Sequence, residues 1–250
     1  MHYIIETEEQ LSQIPKSNVA FIQIILLNDL THPALTAPCL VYFKLSITNK
    51  SYMICVNHPE SLNISWEKVK FFLNKIEVLW CYDVVFHKYF LNNHSKIQCI
   101  NKGSFNINEF NTLMHDHLYK SKYYHVGLNQ LIPISKHYEK YNTFYSYITM
   151  PPYDGINVSK YDVFYNIEKN GIGCDPKKIN KYFELNYAPH SLHGNKIYTK
   201  YNLFNKTTRP TNNFNGINFS AIPKEKRDAF EPTNYTFVEL DFNGYHPRLL

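Results

Sequence analysis

Residues 235–250 read YTFVELDFNGYHPRLL. Phe237, Val238 and Leu240 make residues 235–240 an apolar strand in which only Glu239 is charged, and the strand runs straight into Asp241. Phe242, a turn-prone Asn243-Gly244, Tyr245, His246, Pro247 and Arg248 follow. A carboxylate at the mouth of a buried strand is held on a rigid element. With the Phe242 carbonyl beside it, Asp241 offers oxygen ligands to a hard cation such as Mg2+. The plain alternatives are an aspartate that starts the Asn243-Gly244 turn or one that caps a following helix.

The other candidates are poorer. His115 and His117, in HDH, would stand about 200° apart on a helix and there make poor joint ligands. His190 and His193 have a possible helical ligand spacing but no carboxylate nearby in sequence. There is no glycine-rich phosphate loop, no nucleophile elbow, and no serine or cysteine with a motif-level case for nucleophilic chemistry. Tyr123, Tyr124, Tyr138, Tyr141, Tyr145 and Tyr147 could stack bases, and their spacing suits helix packing equally.

Several elements must position these residues. Residues 19–27, VAFIQIILL, form a nearly continuous apolar strand of the kind buried on both faces. Residues 40–47 and 51–57 are strands joined by a hairpin-like TNK. Residues 65–76 read as a helix capped by Ser65, with Val69, Phe72, Leu73 and Ile76 at helical spacing. VLWCYDVVF continues as a strand or strand-to-helix junction, with HKYFLNN helical after it. Residues 115–147 are helical in period, with Leu128, Leu131, Ile132, Tyr138 and Phe144 as core candidates. MPPYDGI, at 150–156, is the best linker. A helix striped by Val163, Phe164 and Ile167 ends at Asn170-Gly171, and Asp175 with Pro176 opens the next. The chain after Glu184 is turn-rich, and no internal repeat is present.

Three segments, in this order, resemble the family A (DNA polymerase I-like) DNA polymerases. VFYNIEKNGIGCDPKKINKYF is similar to that family's entry into the thumb, a helix, a glycine-containing break and an aspartate-capped helix. TTRPTNNFNGINFSAIPKEKRDAFEP resembles the stretch before the palm through Arg209, Asn218, Pro223, Arg227 and Phe230. VELDFNGYHPRLL resembles motif A through Asp241, Phe242 and Arg248, and its glycine, aromatic and histidine resemble divergent phage forms. The resemblance implies an α/β chain: a ribonuclease H-like, 3′–5′ exonuclease-like mixed sheet with helices, a helical thumb-entry segment, then the first part of an α+β palm. The implied divisions are 1–120 for the degenerate exonuclease-like domain, 121–195 for a helical connector and reduced thumb, and 196–250 for the start of the palm.

The resemblance also implies roles. Asp241 and the Phe242 carbonyl would bind Mg2+, two ions serving the complete enzyme, to transfer deoxynucleotides to a primer 3′ end. Tyr245 and His246 would meet the incoming nucleoside triphosphate, with His246 where the family has a sugar-crowding glutamate. Arg209, Lys224, Lys226, Arg227 and Arg248 would neutralise phosphates of primer-template DNA, and Asn213 or Asn218 would reach minor-groove acceptors. A solvated basic loop is the alternative for this run. The interval 183–196 is too short for long thumb helices. No later family motif is present, so a fragment inactive alone is expected, with an incomplete frame ending at Leu250.

The family's exonuclease needs Asp-x-Glu on its first strand, and alignment puts Gln23 and Ile25 there. The second-motif aspartate falls on His87, with Asp83 a turn earlier. The expectation is therefore the exonuclease fold without the activity, unless Asp29, Asp83 and Asp116 form a displaced cluster. Two other readings stand beside the polymerase: a non-catalytic nucleic-acid-binding module derived from one, and a metal-dependent nuclease.

Composition sets the outer bounds. The 250 residues can bury a substantial core, and a net charge of +5 is compatible with a polyanionic partner or a solvated surface. The 5 cysteines are scattered without a C-x-x-C pair, which points to a reducing compartment and buried thiols. No apolar run reaches the ~18 residues of a membrane span and no signal-peptide pattern opens the chain. An intracellular location away from membranes follows, as for a phage or viral protein in its host, and nothing indicates an oligomer.

Overall fold

A computed structural model describes residues 3–26, 31–92, 94, 96–99, 133–146, 159–183, 191–203, 210–212 and 217–238. Its main body is α/β, built on a mixed six-stranded sheet. The strands are β1 (Tyr3–Ile5), β2 (Val19–Leu26), β3 (Pro38–Leu45), β4 (Ser51–Cys55), β5 (Val78–Cys81) and β6 (Ile97–Cys99). Their spatial order is β1-β4-β3-β2-β5-β6. Only β3 runs against the rest: it is antiparallel to β2 and β4, while β1 with β4, β2 with β5 and β5 with β6 are parallel.

Period-two alternation sends the strand side chains to two cores. On one face Ala20, Ile22 and Ile24 join Val41, Phe43, Leu45, Ile54 and Leu79. Helices α1 (Glu8–Ser12), α2 (Trp66–Leu73) and α3 (Val84–Lys88) add Leu11, Val69, Leu73, Val84 and Val85 to that core. On the other face Phe21, Ile25, Leu40, Tyr42, Met53 and Trp80 meet helix α4 (Ile134–Ser146) through Ile134, Tyr138, Tyr141, Phe144 and Tyr145. Both faces are therefore covered, which explains why β2 reads as a continuous apolar run. Tyr138 and Phe144 are in the core as expected, while Leu128, Leu131 and Ile132 lie outside the described residues.

Beyond the sheet come α5 (Ser159–Asn170), β7 (Ile172–Gly173), α6 (Pro176–Tyr182), β8 (Leu192–His193) and β9 (Lys196–Ile197). Two-residue strands β10 (Tyr201–Asn202) and β11 (Thr211–Asn212) pair antiparallel, and 3-10 turns follow at Phe219–Ala221 and Lys224–Ala229. Gly171 holds φ of 62°, the left-handed stop expected after Asn170. Asp175 caps α6 by accepting from the Lys177 amide at 2.8 Å, ahead of Pro176.

Three expectations change. Ser65 holds the cap position of α2 but makes no side-chain cap bond. The inward stripe of α5 is Tyr161 and Glu168, both buried, with Phe164 and Tyr165 half-buried, whereas Val163 and Ile167 are exposed. Aromatic rings bury more area than Val or Ile and carry the helix round to face α3. Residues 235–238 form no strand, and Tyr235 is 99% exposed with Phe237 and Val238 also exposed. An apolar strand needs a neighbouring strand and a core to cover it, and the described residues offer this segment neither. Among the described residues, no helix is long and apolar enough to cross a membrane. Cys39, Cys55, Cys81 and Cys174 are buried as thiols, used as small apolar residues.

Candidate functional site

The β2 ladder to β5 covers only Val19, Ala20 and Phe21, while its ladder to β3 continues to Leu26. A gap therefore opens between the carboxyl ends of β2 and β5, the kind of crevice where α/β sheets bind ligands. His87 of α3 fills it. The Ile24 main-chain N–H donates to His87 Nε2 at 3.2 Å. That bond fixes the ring proton on Nδ1, which donates to the Asp83 carbonyl at 2.7 Å. The ring is fully buried, and burial pushes its pKa down to about 4. Gln23 folds its amide back onto the Ile24 carbonyl at 2.9 Å, and Ile25 is in the apolar core under α4. Neither supplies a carboxylate.

Over this crevice lies a run of three residues, each held by a different element. The His32 Nε2–H donates to the Thr199 carbonyl at 3.0 Å, while its Nδ1 accepts from the Ala34 amide at 3.2 Å. Lys200 Nζ donates to Asp83 Oδ2 at 3.3 Å and stands 5.0 Å from the centre of the Phe86 ring. The Tyr201 N–H donates to Glu168 Oε1 at 2.7 Å. Glu168 is 2% exposed and also accepts from the Tyr89 hydroxyl at 3.3 Å. Burial raises its pKa to about 7, against the opposing pull of Lys200. Burial also raises the Tyr89 hydroxyl pKa, with the Glu168 charge adding to the shift. Burial and the Lys200 charge push His32 down to about 4. The Lys88–Asp162 ion pair, 2.5 Å, ties α3 to α5 alongside.

Tyr89 also lines an open cleft of about 590 Å3 between the 3-10 turn Pro33–Leu35, α2 and the end of α5. Trp66, Lys70, Phe90, Asn92 and Lys169 line it too, and the lining contains no carboxylate.

A third, smaller core joins two stretches far apart in sequence. Cys174 and Ile179 pack with Ile197, Ile217 and Ala229, and Phe183, Phe219 and Phe230 close around them. The Glu231 amide donates to the Gly173 carbonyl at 2.9 Å, and Cys174 bridges Phe230. Gly173 is needed there: a Cβ would lie 2.3 Å from the Glu231 carbonyl oxygen.

No protein-family model matches the chain, and no curated protein matches it.

Of the residues singled out in the sequence, Asp241, Phe242, Tyr245, His246, Arg248, Arg209 and Asn213 lie outside the described residues. So do Asp29 and Asp116. Asn218 and Lys224 are exposed, and Arg227 is exposed with its Nε donating to the Ile222 carbonyl at 3.3 Å. Lys226 donates to the Tyr182 carbonyl at 2.9 Å, so it braces α6 against the 3-10 turn Lys224–Ala229. Asp83 caps α3, accepting from the Phe86 amide at 2.9 Å besides pairing with Lys200. Among the described residues, no group of three His, Cys, Asp or Glu side chains is placed to hold a metal ion.

Sequence reasoning missed His32, Tyr89, Glu168 and Lys200 as a set. The one local signal was Glu168 on the same helical face as Tyr161, Phe164 and Tyr165, a carboxylate placed where an apolar residue would continue the stripe.

Proposed function

We propose that the chain is part of a template-directed DNA polymerase of the family A type, whose exonuclease-like domain has lost its catalytic carboxylates. The observation that carries the reading is the small core around Cys174 and Ala229. It packs the thumb-entry-like segment against the segment resembling the approach to the palm, two of the three stretches on which the resemblance rests. An arbitrary match of two separate segments gives no reason for them to fold against each other.

The sheet supports the same reading. A single reversed strand next to the central one, followed by two parallel strands, is compatible with a ribonuclease H-like exonuclease sheet. The donor set at its crevice does not fit metal ions: Gln23, Ile25 and His87 stand at the aligned positions, and both His87 nitrogens are occupied.

For the polymerase site, Asp241 and the Phe242 carbonyl would supply oxygen donors of the kind one magnesium ion takes. Magnesium there would supply charge stabilisation for phosphoryl transfer. Arg209 and Arg227 would hold duplex phosphates near the primer end, and Tyr245 and His246 would limit the sugar of the incoming nucleotide.

The test is binding of a primer-template duplex to this chain, followed by fluorescence anisotropy across a salt series. Expected is binding at about 50 mM salt that weakens steeply as salt rises, and about tenfold weaker binding for Arg209→Ala with Arg227→Ala. No binding at low salt, or indifference to both substitutions, overturns the reading. The coding sequence beyond Leu250 separates polymerase from binding module: a fingers helix and a second acidic strand favour the enzyme, an immediate stop codon the module.

A further inference from the structure

We infer that residues 199–201 form a clasp, closing and opening as one unit over the crevice between β2 and β5. This stands whether or not the chain is a polymerase. The three contacts come from consecutive residues of one extended segment: the Thr199 carbonyl on His32, the Lys200 ammonium on Asp83, and the Tyr201 amide on Glu168. Their partners sit on three separate pieces of the fold, the turn before β3, the first turn of α3, and α5. The Thr199 and Tyr201 contacts are made by main-chain atoms two residues apart, so neither can part without moving the backbone that carries the other and the Lys200 stem between them. Flanking rings extend the unit, with Tyr198 5.3 Å from His32 and Tyr201 5.6 Å from Phe164.

The position gives the clasp a consequence. Lys200 covers Asp83 and Phe86, the first turn of α3, directly above the His87 plug. An extended ligand approaching the carboxyl ends of β2 and β5 meets the clasp first. In the closed state the chain is its own occupant of that crevice.

Two groups make closure depend on protons, with opposite sign. Facing Glu168 are Tyr89 and Asp83 from α3 and its cap, and Lys200 and Tyr201 from the clasp; facing His32 are Lys200, Tyr89 and Tyr198. Glu168 holds its proton up to about 7 when closed, so its contribution to closure is full below the ordinary value of 4.5 and is lost as pH rises through about 7. His32 stays neutral down to about 4 when closed, so its contribution is full above 6.5 and is lost as pH falls towards 4. Between about pH 4.5 and 6.5 the two oppose each other, which keeps the wild-type clasp nearly level there, and above 6.5 only the Glu168 share still falls. Removing either group unmasks the other.

The experiment uses the full chain and two readouts on different residues: amide-exchange protection of Tyr201, and the rate of reductive methylation of Lys200 at pH 8. Glu168→Gln keeps an acceptor for Tyr201 without a charge. Expected at pH 8 is at least tenfold more protection at Tyr201 and a matching slowing at Lys200, with the protection difference gone near pH 4.5. His32→Phe removes the hydrogen bond to Thr199 without removing either partner of the Lys200–Asp83 or Tyr201–Glu168 contacts, yet it is expected to lower Tyr201 protection and speed Lys200 labelling together. If either substitution moves only the residue it contacts, or neither readout changes, the clasp is not a unit and the inference fails.

Discussion

His87 accepts the main-chain amide of Ile24 at 3.2 Å across 63 positions of sequence, and so closes the sheet where β2 and β5 part. A buried amide without a partner costs about 1–3 kcal/mol, and a buried ring leaves a cavity when it is removed. His87→Ala should therefore lower stability by about 3–4 kcal/mol in urea unfolding. A loss under 1 kcal/mol would mean that water or a shifted strand satisfies Ile24, and that the plug is not structural.

Buried neutral histidines set the acid limit of this fold. His32 and His87 are both held down to about 4 from an ordinary 6.5. Their contribution is complete above pH 6.5 and declines as pH falls towards 4, by up to about 3 kcal/mol each. Glu168 works the other way, with its share declining as pH rises from 4.5 through about 7. Burial also holds His94 and His137 down, so four histidines against Glu168 predict a net loss of stability from pH 6.5 to pH 4.5. Chemical denaturation at the two pH values checks this, and a flat profile would contradict the burial of the rings.

Much of the sheet was legible because its strands alternate or run apolar and its turns carry the residues turns require. Gly171, Asp175 and Pro176 stand where left-handed and capping geometry need them, so those boundaries could be read locally. The face of α5 could not. Val163 and Ile167 match the helical period as well as Tyr161, Phe164 and Tyr165 do, and only the partner surface on α3 decides between them. The clasp was illegible for a related reason. His32, Asp83, Glu168 and Lys200 are spread over the chain, and the opposing titrations of His32 and Glu168 arise from burial that no local window records. Residues 235–238 show the converse: a strand-like pattern is necessary for a strand but does not provide its neighbour.

Asp83 separates the nuclease alternative from the structural one. Its carboxylate caps α3 and pairs with Lys200; Glu168 lies within range of its charge, but among the described residues no group of three His, Cys, Asp or Glu side chains is placed to hold a metal ion. The chain with Mg2+ or Mn2+ should leave single-stranded and 3′-recessed DNA intact. Asp83→Ala should instead cost about 1–2 kcal/mol of stability through the lost cap. Robust metal-dependent cleavage abolished by that substitution would reinstate a displaced carboxylate site.

Gly173 tests the contact on which the polymerase reading leans. Its carbonyl accepts the Glu231 amide at 2.9 Å, and a methyl group at its Cα would lie 2.3 Å from the Glu231 carbonyl oxygen. Backbone cannot yield as the tip of a side chain can, so Gly173→Ala should push residues 229–231 away from β7 and open the small core around Cys174, Ile179 and Ala229. The expected cost is about 2–4 kcal/mol, confined to this unit. Amide exchange should show the Phe230 and Glu231 amides losing protection while the Ile22 and Phe43 region of the sheet keeps its own. If the two matched segments belong together as the approach to a palm, duplex binding should weaken along with that protection. Duplex binding that survives full loss of the contact would show that the basic residues act without the unit that presents them.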